Sequence, residues 1–135
     1  MLDSAAVKLF NYAPSIVAIN QGNGQFSIRK LPVTVQLSSV NAIARADVNG
    51  DGFPDLVLGG NEFGFLPQFG RLDASLGDIL LGDGKGNFTC LGASQTGLEL
   101  RGQVRDITPI VTNNGLRLLF LQNNEYPVLY EISHP

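Results

Sequence analysis

Short runs of apolar residues recur along the chain, and none of them keeps the 3.6-residue period of an amphipathic helix. The runs are rich in Val, Ile, Leu and Phe, and they are bounded by Gly, Asn, Asp or Pro. Runs of this length with such boundaries are typical of β-strands. The pattern predicts strands near residues 6–11, 15–20, 25–30, 41–47, 55–60, 77–82, 86–91, 103–109, 116–122 and 127–132.

The chain also repeats itself at a spacing of about 60 residues. At an offset of 62, VAINQGNGQFS (17–27) lies over ILLGDGKGNFT (79–89), and a Gly-rich hairpin turn followed by Phe is common to both segments. At an offset of 63, GFPDLVLGGN (52–61) lies over GLRLLFLQNN (115–124). The repeating unit therefore holds about four strands, which is the size of one β-propeller blade.

The repeat predicts a single all-β domain, residues 1–135, made of antiparallel four-stranded blades of β-propeller type. Residues 41–91 form one complete blade, and residues 1–37 and 103–132 form two partial blades. Because propellers typically close with 4 to 8 blades, we expect the chain to be part of a longer propeller chain or to associate as a homo-oligomer. A small open stack of sheets is a third possibility.

One loop, DVNGDGFPD from Asp47 to Asp55, carries oxygen side chains at its positions 1, 3, 5 and 9. Glycine at position 6 permits a tight reversal. Calcium takes six to eight oxygen ligands, mostly carboxylate and carbonyl groups. The loop therefore predicts a calcium site with these ligands: Asp47, Asn49, Asp51, Asp55 and the backbone carbonyl of Phe53.

An EF-hand is excluded because its loop needs Glu at position 12 and a helix on each side. Position 12 here is Leu58, inside a run that predicts a strand. A plain turn between two strands is the alternative without metal, although it does not require oxygens at all four positions. At the offset of 63, the four side-chain ligands correspond to Ile110, Thr112, Asn114 and Leu118, so the second copy is not expected to bind metal.

The segment DVNGDGFPDLVLGGN (47–61), followed by LLGDGKGNFT (80–89), resembles the FG-GAP/VCBS repeat family, and the similarity extends from about residue 14 onward. Residues 61–77 are similar to a connection near the C-terminal end of bacterial VCBS-repeat proteins. The resemblance implies integrin-α-like propeller blades, calcium at the loop of residues 47–55 and a role in cell adhesion. It also implies an extracellular, periplasmic or cell-surface location.

The connection of residues 62–76 is longer than a hairpin needs, and long ordered loops often bind ligands. Its aromatic and charged side chains form a possible site for a protein or a glycan: Phe63, Phe65, Phe69, Arg71 and Asp73. The alternative is that the phenylalanines cover the end of the blade while the two charged residues make local contacts.

Charge and composition exclude several functions. The formal net charge of −3 and a pI near 4.9 leave no basic patch for nucleic acid. No apolar run reaches the roughly 18 residues of a membrane span, and no signal peptide is visible. The single cysteine, Cys90, cannot form an internal disulfide and fits a small buried position, and the only histidine, His134, lies next to the C-terminus. No catalytic constellation emerges, so we expect no enzyme activity.

Together the patterns favour a non-catalytic, calcium-binding β-propeller module that serves protein or glycan binding or adhesion. The alternative is an accessory or substrate-binding part of a secreted polysaccharide-active or other hydrolytic enzyme.

Overall fold

The computed structural model describes residues 13–66, 68 and 70–133, and its strands form three antiparallel sheets. The predicted strand at 6–11 lies outside the described residues, and the other nine predicted strands are confirmed with ends shifted by a few residues. The strands are β1 (Ile16–Gly22), β2 (Gln25–Lys30), β3 (Val40–Ala46), β4 (Asp55–Gly60), β5 (Asp78–Gly82), β6 (Phe88–Cys90), β7 (Val104–Thr112), β8 (Gly115–Gln122) and β9 (Val128–Glu131).

Two short helical turns connect the strands. A 3-10 helix spans Val33–Gln36, and a one-turn α-helix, α1, spans Ala93–Thr96 and ends at Gly97 with φ of 64°. The hydrophobic pattern does not predict either, because a single turn is too short to show a helical period. Among the described helices, none has the length and apolar composition needed to cross a bilayer.

Neighbours in each sheet are also neighbours in sequence. The orders are β1-β2, β3-β4-β5-β6 and β7-β8-β9, and every pair is antiparallel. The chain is therefore all-β, as predicted. In the part of the chain that the structure describes, the three sheets are open and do not close into a ring.

The central sheet, β3 to β6, is buried on both faces. Val57 and Ile79 lie on one face in a core with Phe120 of the third sheet, whereas Leu58 and Leu80 lie on the other face in a separate core with the 3-10 helix. Successive residues of a strand point to opposite sides of the sheet, so β4 contributes to two cores in turn. The sheets consequently stack in the order in which they occur in the chain.

Small residues line the contact between β3 and the third sheet. Ala42 and Ala44 are buried there, and a Cβ added to Gly59 would run into the side chain of Val104 on β7. Larger side chains at these positions would force the sheets apart, since protein interiors are close-packed.

The structure corrects the offset of 63 for the second repeat. Both first strands have a register shift, one after Val40 opposite Gly60 and one after Val104 opposite Gln122. These pairs give an offset of 64 for the first strands and 62 for the second strands. The offset of 63 is therefore wrong for both, and a slip of one residue places each side chain on the opposite face. The first and second strands have different offsets because the β7–β8 turn is shorter than the β3–β4 loop.

One buried polar residue, Asn61, joins the end of β4 to three other segments. It is fully buried with φ of 75°. Its Oδ1 accepts hydrogen bonds from the Ser38 hydroxyl and the Ser75 N–H, both at 3.0 Å. Its Nδ2 donates to the carbonyls of Ser75 and Gly102, at 2.8 and 3.2 Å. All side-chain hydrogen-bonding groups of this residue are thus satisfied.

We predict that Asn61→Gly destabilises the fold by about 3 kcal/mol, because several buried polar groups lose their partner while glycine keeps the positive φ without strain. Urea denaturation measures this change. Asn23→Ala is the control for strain alone, since Asn23 is an exposed turn residue with φ of 50°, and it should cost only about 1 kcal/mol. An Asn61→Gly midpoint equal to that of the unmodified chain would contradict the prediction.

Candidate functional site

The candidate metal loop lies between β3 and β4 and is organised around Asp47. The Asp47 carboxylate accepts backbone N–H groups of Gly50, Asp51 and Gly52, at 2.8, 3.1 and 2.9 Å. Gly50 and Gly52 have φ of 76° and 85°, which other residues rarely adopt. These bonds turn the chain around the carboxylate and leave Asp47 on the exposed side of the loop.

Asp51 and Asn49 lie together on the same exposed turn. The Asn49 Nδ2 donates to Asp51 Oδ2 at 2.8 Å, and the Phe53 N–H donates to Asp51 Oδ1 at 2.8 Å. A cavity of about 200 Å³ lies beside the turn, between Arg45 and Phe53. Three of the predicted ligand residues, Asp47, Asn49 and Asp51, are therefore brought into one hydrogen-bonded turn.

Asp55, the last predicted ligand, is oriented differently. Its side chain is 0% exposed. One carboxylate oxygen accepts the N–H of Val48 at 2.7 Å, and the other accepts the N–H of Gly82 at 2.8 Å. No Lys or Arg within the described residues forms an ion pair with it. Asp55 thus connects the beginning of the loop to the end of β5.

The hairpin turn between β5 and β6 packs under the loop. A Cβ on Gly84 would run into the Phe53 ring, and a Cβ on Gly82 would run into the carbonyl of Pro54. Glycine is required at both positions because backbone and ring approach so closely. The loop and the turn therefore form one packed unit.

That turn has its own carboxylate, Asp83. Hydrogen bonds from the side chain and backbone of Asn87 and from the Lys85 N–H lower the pKa of Asp83 to about 2. The Asn87 side chain also accepts a hydrogen bond from Arg29 of the N-terminal hairpin. The turn is thus hydrogen-bonded to the neighbouring sheet, and we assign it a structural role beside the loop.

The structure does not gather all the predicted carboxylates around one point. Within residues 13–66, 68 and 70–133, no group of three or more His, Cys, Asp or Glu side chains is placed to hold a metal ion. Asp47 and Asp51 belong to the exposed turn, whereas Asp55 faces the interior. Sequence spacing alone does not reveal that Asp55 is oriented differently from Asp47 and Asp51.

The donor chemistry of the loop nevertheless fits a hard cation. The predicted ligands offer oxygen, which calcium prefers. An ionised carboxylate has about four lone-pair sites, and Asp51 and Asp55 each use two of them in hydrogen bonds. Asp55 is moreover a buried carboxylate without a basic partner in the described part of the chain, and burying such a group costs free energy that a cation would offset.

The repeat-related position in the third sheet has a different connection. β7 and β8 are joined by a two-residue turn, Asn113–Asn114. The Thr112 hydroxyl closes this turn by accepting the Asn114 N–H at 3.2 Å and donating to the Gly115 carbonyl at 3.0 Å.

The 62–76 connection begins and ends as a narrow ribbon. Glu62 and Leu72 exchange backbone hydrogen bonds of 2.8 and 2.9 Å. The Arg71 guanidinium lies 4.5 Å from the centre of the Phe63 ring and 3.3 Å from the Asp73 carboxylate. Arg71 is therefore already engaged by two of the residues that were proposed to bind a ligand with it.

Part of the open surface of this connection is apolar. Phe65 is 47% exposed and Leu66 is also exposed, whereas Phe69 lies outside the described residues. The Arg71 and Asp73 side chains are also 60% and 53% exposed, so a charged pair lies on the same connection.

Sequence reasoning missed a polar cluster at the base of this connection. The Glu62 carboxylate accepts hydrogen bonds from the Gly64 N–H and the Gln103 Nε2, at 2.8 and 3.0 Å, and lies 3.5 Å from Arg105. The Gly64 hydrogen bond and the Arg105 charge lower the pKa of Glu62. No motif marks these residues, because they are distant in sequence and meet only when the third sheet packs.

Cys90 gives no sign of reactivity. It is half-buried in the core between the first two sheets, and burial raises the pKa of its thiol. A raised pKa lowers the thiolate fraction that nucleophilic or redox chemistry requires. His134 lies outside the described residues.

The fold and the loop define an all-β module of stacked antiparallel sheets. The family model of the FG-GAP repeat matches residues 39–72, which include β3, the candidate metal loop, β4 and most of the following connection. The comparisons with curated proteins and with solved structures give no match for this chain.

We predict that Asp55 and Asp51 have separable roles when calcium is removed. In the presence of a chelator, Asp55→Ala should cost about 2–5 kcal/mol of unfolding free energy, because it leaves two buried N–H groups without an acceptor. Asp51→Ala should cost about 1 kcal/mol or less, because its hydrogen bonds are exposed. The measurement is urea denaturation, with the exposed Asp73→Ala as control. Equal losses for the two variants would contradict the division.

Proposed function

We propose that the loop of residues 47–55 binds one calcium ion and that the ion stabilises a non-catalytic binding module. The buried Asp55 carboxylate carries this proposal. Asp55 is the last residue of a loop whose predicted ligand atoms are all oxygens. Its carboxylate accepts hydrogen bonds from two backbone N–H groups and has no basic partner among the described residues. The predicted ligands are Asp47, Asn49, Asp51, Asp55 and the Phe53 carbonyl.

A bound calcium ion would offset two of the three negative charges of the loop's carboxylates. Residues of the loop couple this local change in charge to the stability of the fold. Asp47 holds the turn through three backbone N–H groups, and Asp55 joins the loop to Gly82 at the end of β5. Because these contacts exist only in the folded chain, a ligand of the loop stabilises the folded state.

The FG-GAP match at residues 39–72 supports a role in binding. We infer a β-propeller-type module that acts in adhesion outside the cell, in the periplasm or on the cell surface, where calcium is abundant. The connection of residues 62–76 presents Phe65 and Leu66 to solvent. Aromatic side chains are enriched in protein–protein interfaces, so this surface suits a protein partner.

We predict that calcium raises the melting temperature of the chain and that Asp51→Ala removes the increase. At a calcium concentration of about 100 times Kd, binding to the folded state adds about 2.7 kcal/mol. Thermal unfolding in calcium and in chelator measures the effect.

The matched control for this experiment is Asp83→Ala. Asp83 is also an exposed carboxylate that accepts backbone N–H groups in a turn, but it is not a predicted ligand. Its variant should keep the full calcium-dependent increase. An unmodified chain with the same melting temperature in calcium and in chelator would overturn the structural role of the ion.

The alternative is an accessory or substrate-binding part of a polysaccharide-active or other hydrolytic enzyme. It depends on the exposed Phe65, since aromatic rings provide large contact surfaces. We predict that a glycan array detects no binding that depends on Phe65, because the exposed Phe65 and Leu66 side chains offer no hydrogen bonds to sugar hydroxyls. Glycan binding that is lost in Phe65→Ala would favour the alternative instead.

A further inference from the structure

Three asparagines of the chain are followed directly by glycine, and each pair lies in an exposed turn: Asn23–Gly24, Asn49–Gly50 and Asn114–Gly115. An asparagine in this position can react with its own backbone, because the nitrogen of the next residue can attack the carbon of the side-chain amide. Glycine leaves this nitrogen open, since it has no Cβ. The sequence does not rank the three pairs, because the dipeptide is the same in each.

At Asn49–Gly50 the attacking nitrogen faces a base. The Gly50 N–H donates to Asp47 Oδ1 at 2.8 Å, a distance at which a carboxylate acts as a general base. Gly24 and Gly115 lie in hairpin turns, where their N–H groups donate to no carboxylate in the part of the chain that the structure describes. Among these pairs, the candidate metal loop alone therefore places a proton acceptor on the nucleophile.

The side-chain amide of Asn49 is held and polarised by the same loop. Its Oδ1 accepts the N–H of Asp51 at 3.1 Å. This oxygen gains negative charge during the attack, and a fixed N–H donor stabilises such charge. Its Nδ2, the leaving group, donates to Asp51 Oδ2 at 2.8 Å. Because two hydrogen bonds fix the amide beside the attacking nitrogen, less entropy is lost when the reaction begins.

We propose that Asn49 is a self-modification site, at which Asp47 and Asp51 promote conversion of the asparagine to aspartate or isoaspartate. The bond from Gly50 N to Asn49 Cγ forms, and the bond from Cγ to Nδ2 breaks. The proton of the Gly50 N–H passes by way of the Asp47 carboxylate to the departing nitrogen, which leaves as ammonia. Water then opens the cyclic imide at either carbonyl carbon, so the net reaction consumes one water and releases one ammonia.

The conversion changes the charge and the path of the candidate metal loop. Both products carry a carboxylate in place of the neutral amide, so the three carboxylates of Asp47, Asp51 and Asp55 become four. In isoaspartate the main chain also runs through the former side chain, which lengthens the loop. Any effect on a bound ion rests on the proposed function, whereas the conversion itself does not require the ion.

Peptide mass spectrometry after incubation at neutral pH compares the three asparagines in one sample. Every incubation contains a chelator, so the result does not depend on calcium binding. In the folded chain Asn49 should be converted faster than Asn23 and Asn114. In urea that unfolds the chain, all three should react at similar rates, because the same dipeptide then reacts without the loop. A folded chain that converts Asn49 no faster than the other two would overturn the proposal.

Asp47→Asn tests the base directly. The amide oxygen of the new side chain still accepts the Gly50 N–H, but an amide is not basic. Conversion of Asn49 should slow by about 100-fold, at the lower end of the contributions of general bases, while Asn23 in the same sample reacts as before. An Asn49 rate equal to that of the unmodified chain would contradict the role of Asp47.

The matched control is Asp73→Asn, which removes an exposed carboxylate outside the loop. It should leave the Asn49 rate unchanged. Neither substitution creates a new Asn–Gly pair, because Val48 and Ala74 follow the two positions. Circular dichroism checks that each variant keeps its strands; if Asp47→Asn does not, the comparison of the three asparagines in the unmodified chain decides.

Discussion

Burial of the central sheet on both of its faces is the constraint on which the rest of this structure depends. A strand that must fill two cores alternates its side chains between them, and Val57 and Leu58 are both almost fully buried although they point in opposite directions. Neither the N-terminal hairpin nor the third sheet could bury its apolar side without this sheet between them. The candidate metal loop belongs to the same sheet, so its position is fixed by two cores at once.

Buried polar groups stand at both ends of β4 and connect that strand to the rest of the chain. At its beginning Asp55 accepts two backbone N–H groups, and just beyond its end Asn61 satisfies Ser38, Ser75 and Gly102. Hydrogen bonds of buried groups are expensive to break because the partners left behind cannot reach water. Asp55 and Asn61 therefore fix the register and the ends of β4. The hydrophobic cores alone would allow this strand to slide, because it is apolar on both faces.

Much of the fold could be predicted from the sequence, because each strand is a short apolar run between turn residues. The sequence predicted the turn that holds Asp47, Asn49 and Asp51, but not the inward orientation of Asp55, since spacing does not show which N–H groups a carboxylate meets. The single offset for the second repeat failed because the two turns differ in length. Asn61 and the Glu62–Arg105 cluster were missed because their partners are brought together only by tertiary packing.

The small residues of β3 have a geometric consequence. On the face toward the third sheet, side-chain volume rises from Ala42 and Ala44 on β3, through Val57 on β4, to Ile79 and Leu81 on β5. Side chains of graded size favour an inclined arrangement of the two sheets, and β7 of the third sheet lies against β3 and β4, on the alanine side. The difference in volume between alanine and leucine thus contributes to the angle at which the third sheet packs on the central sheet.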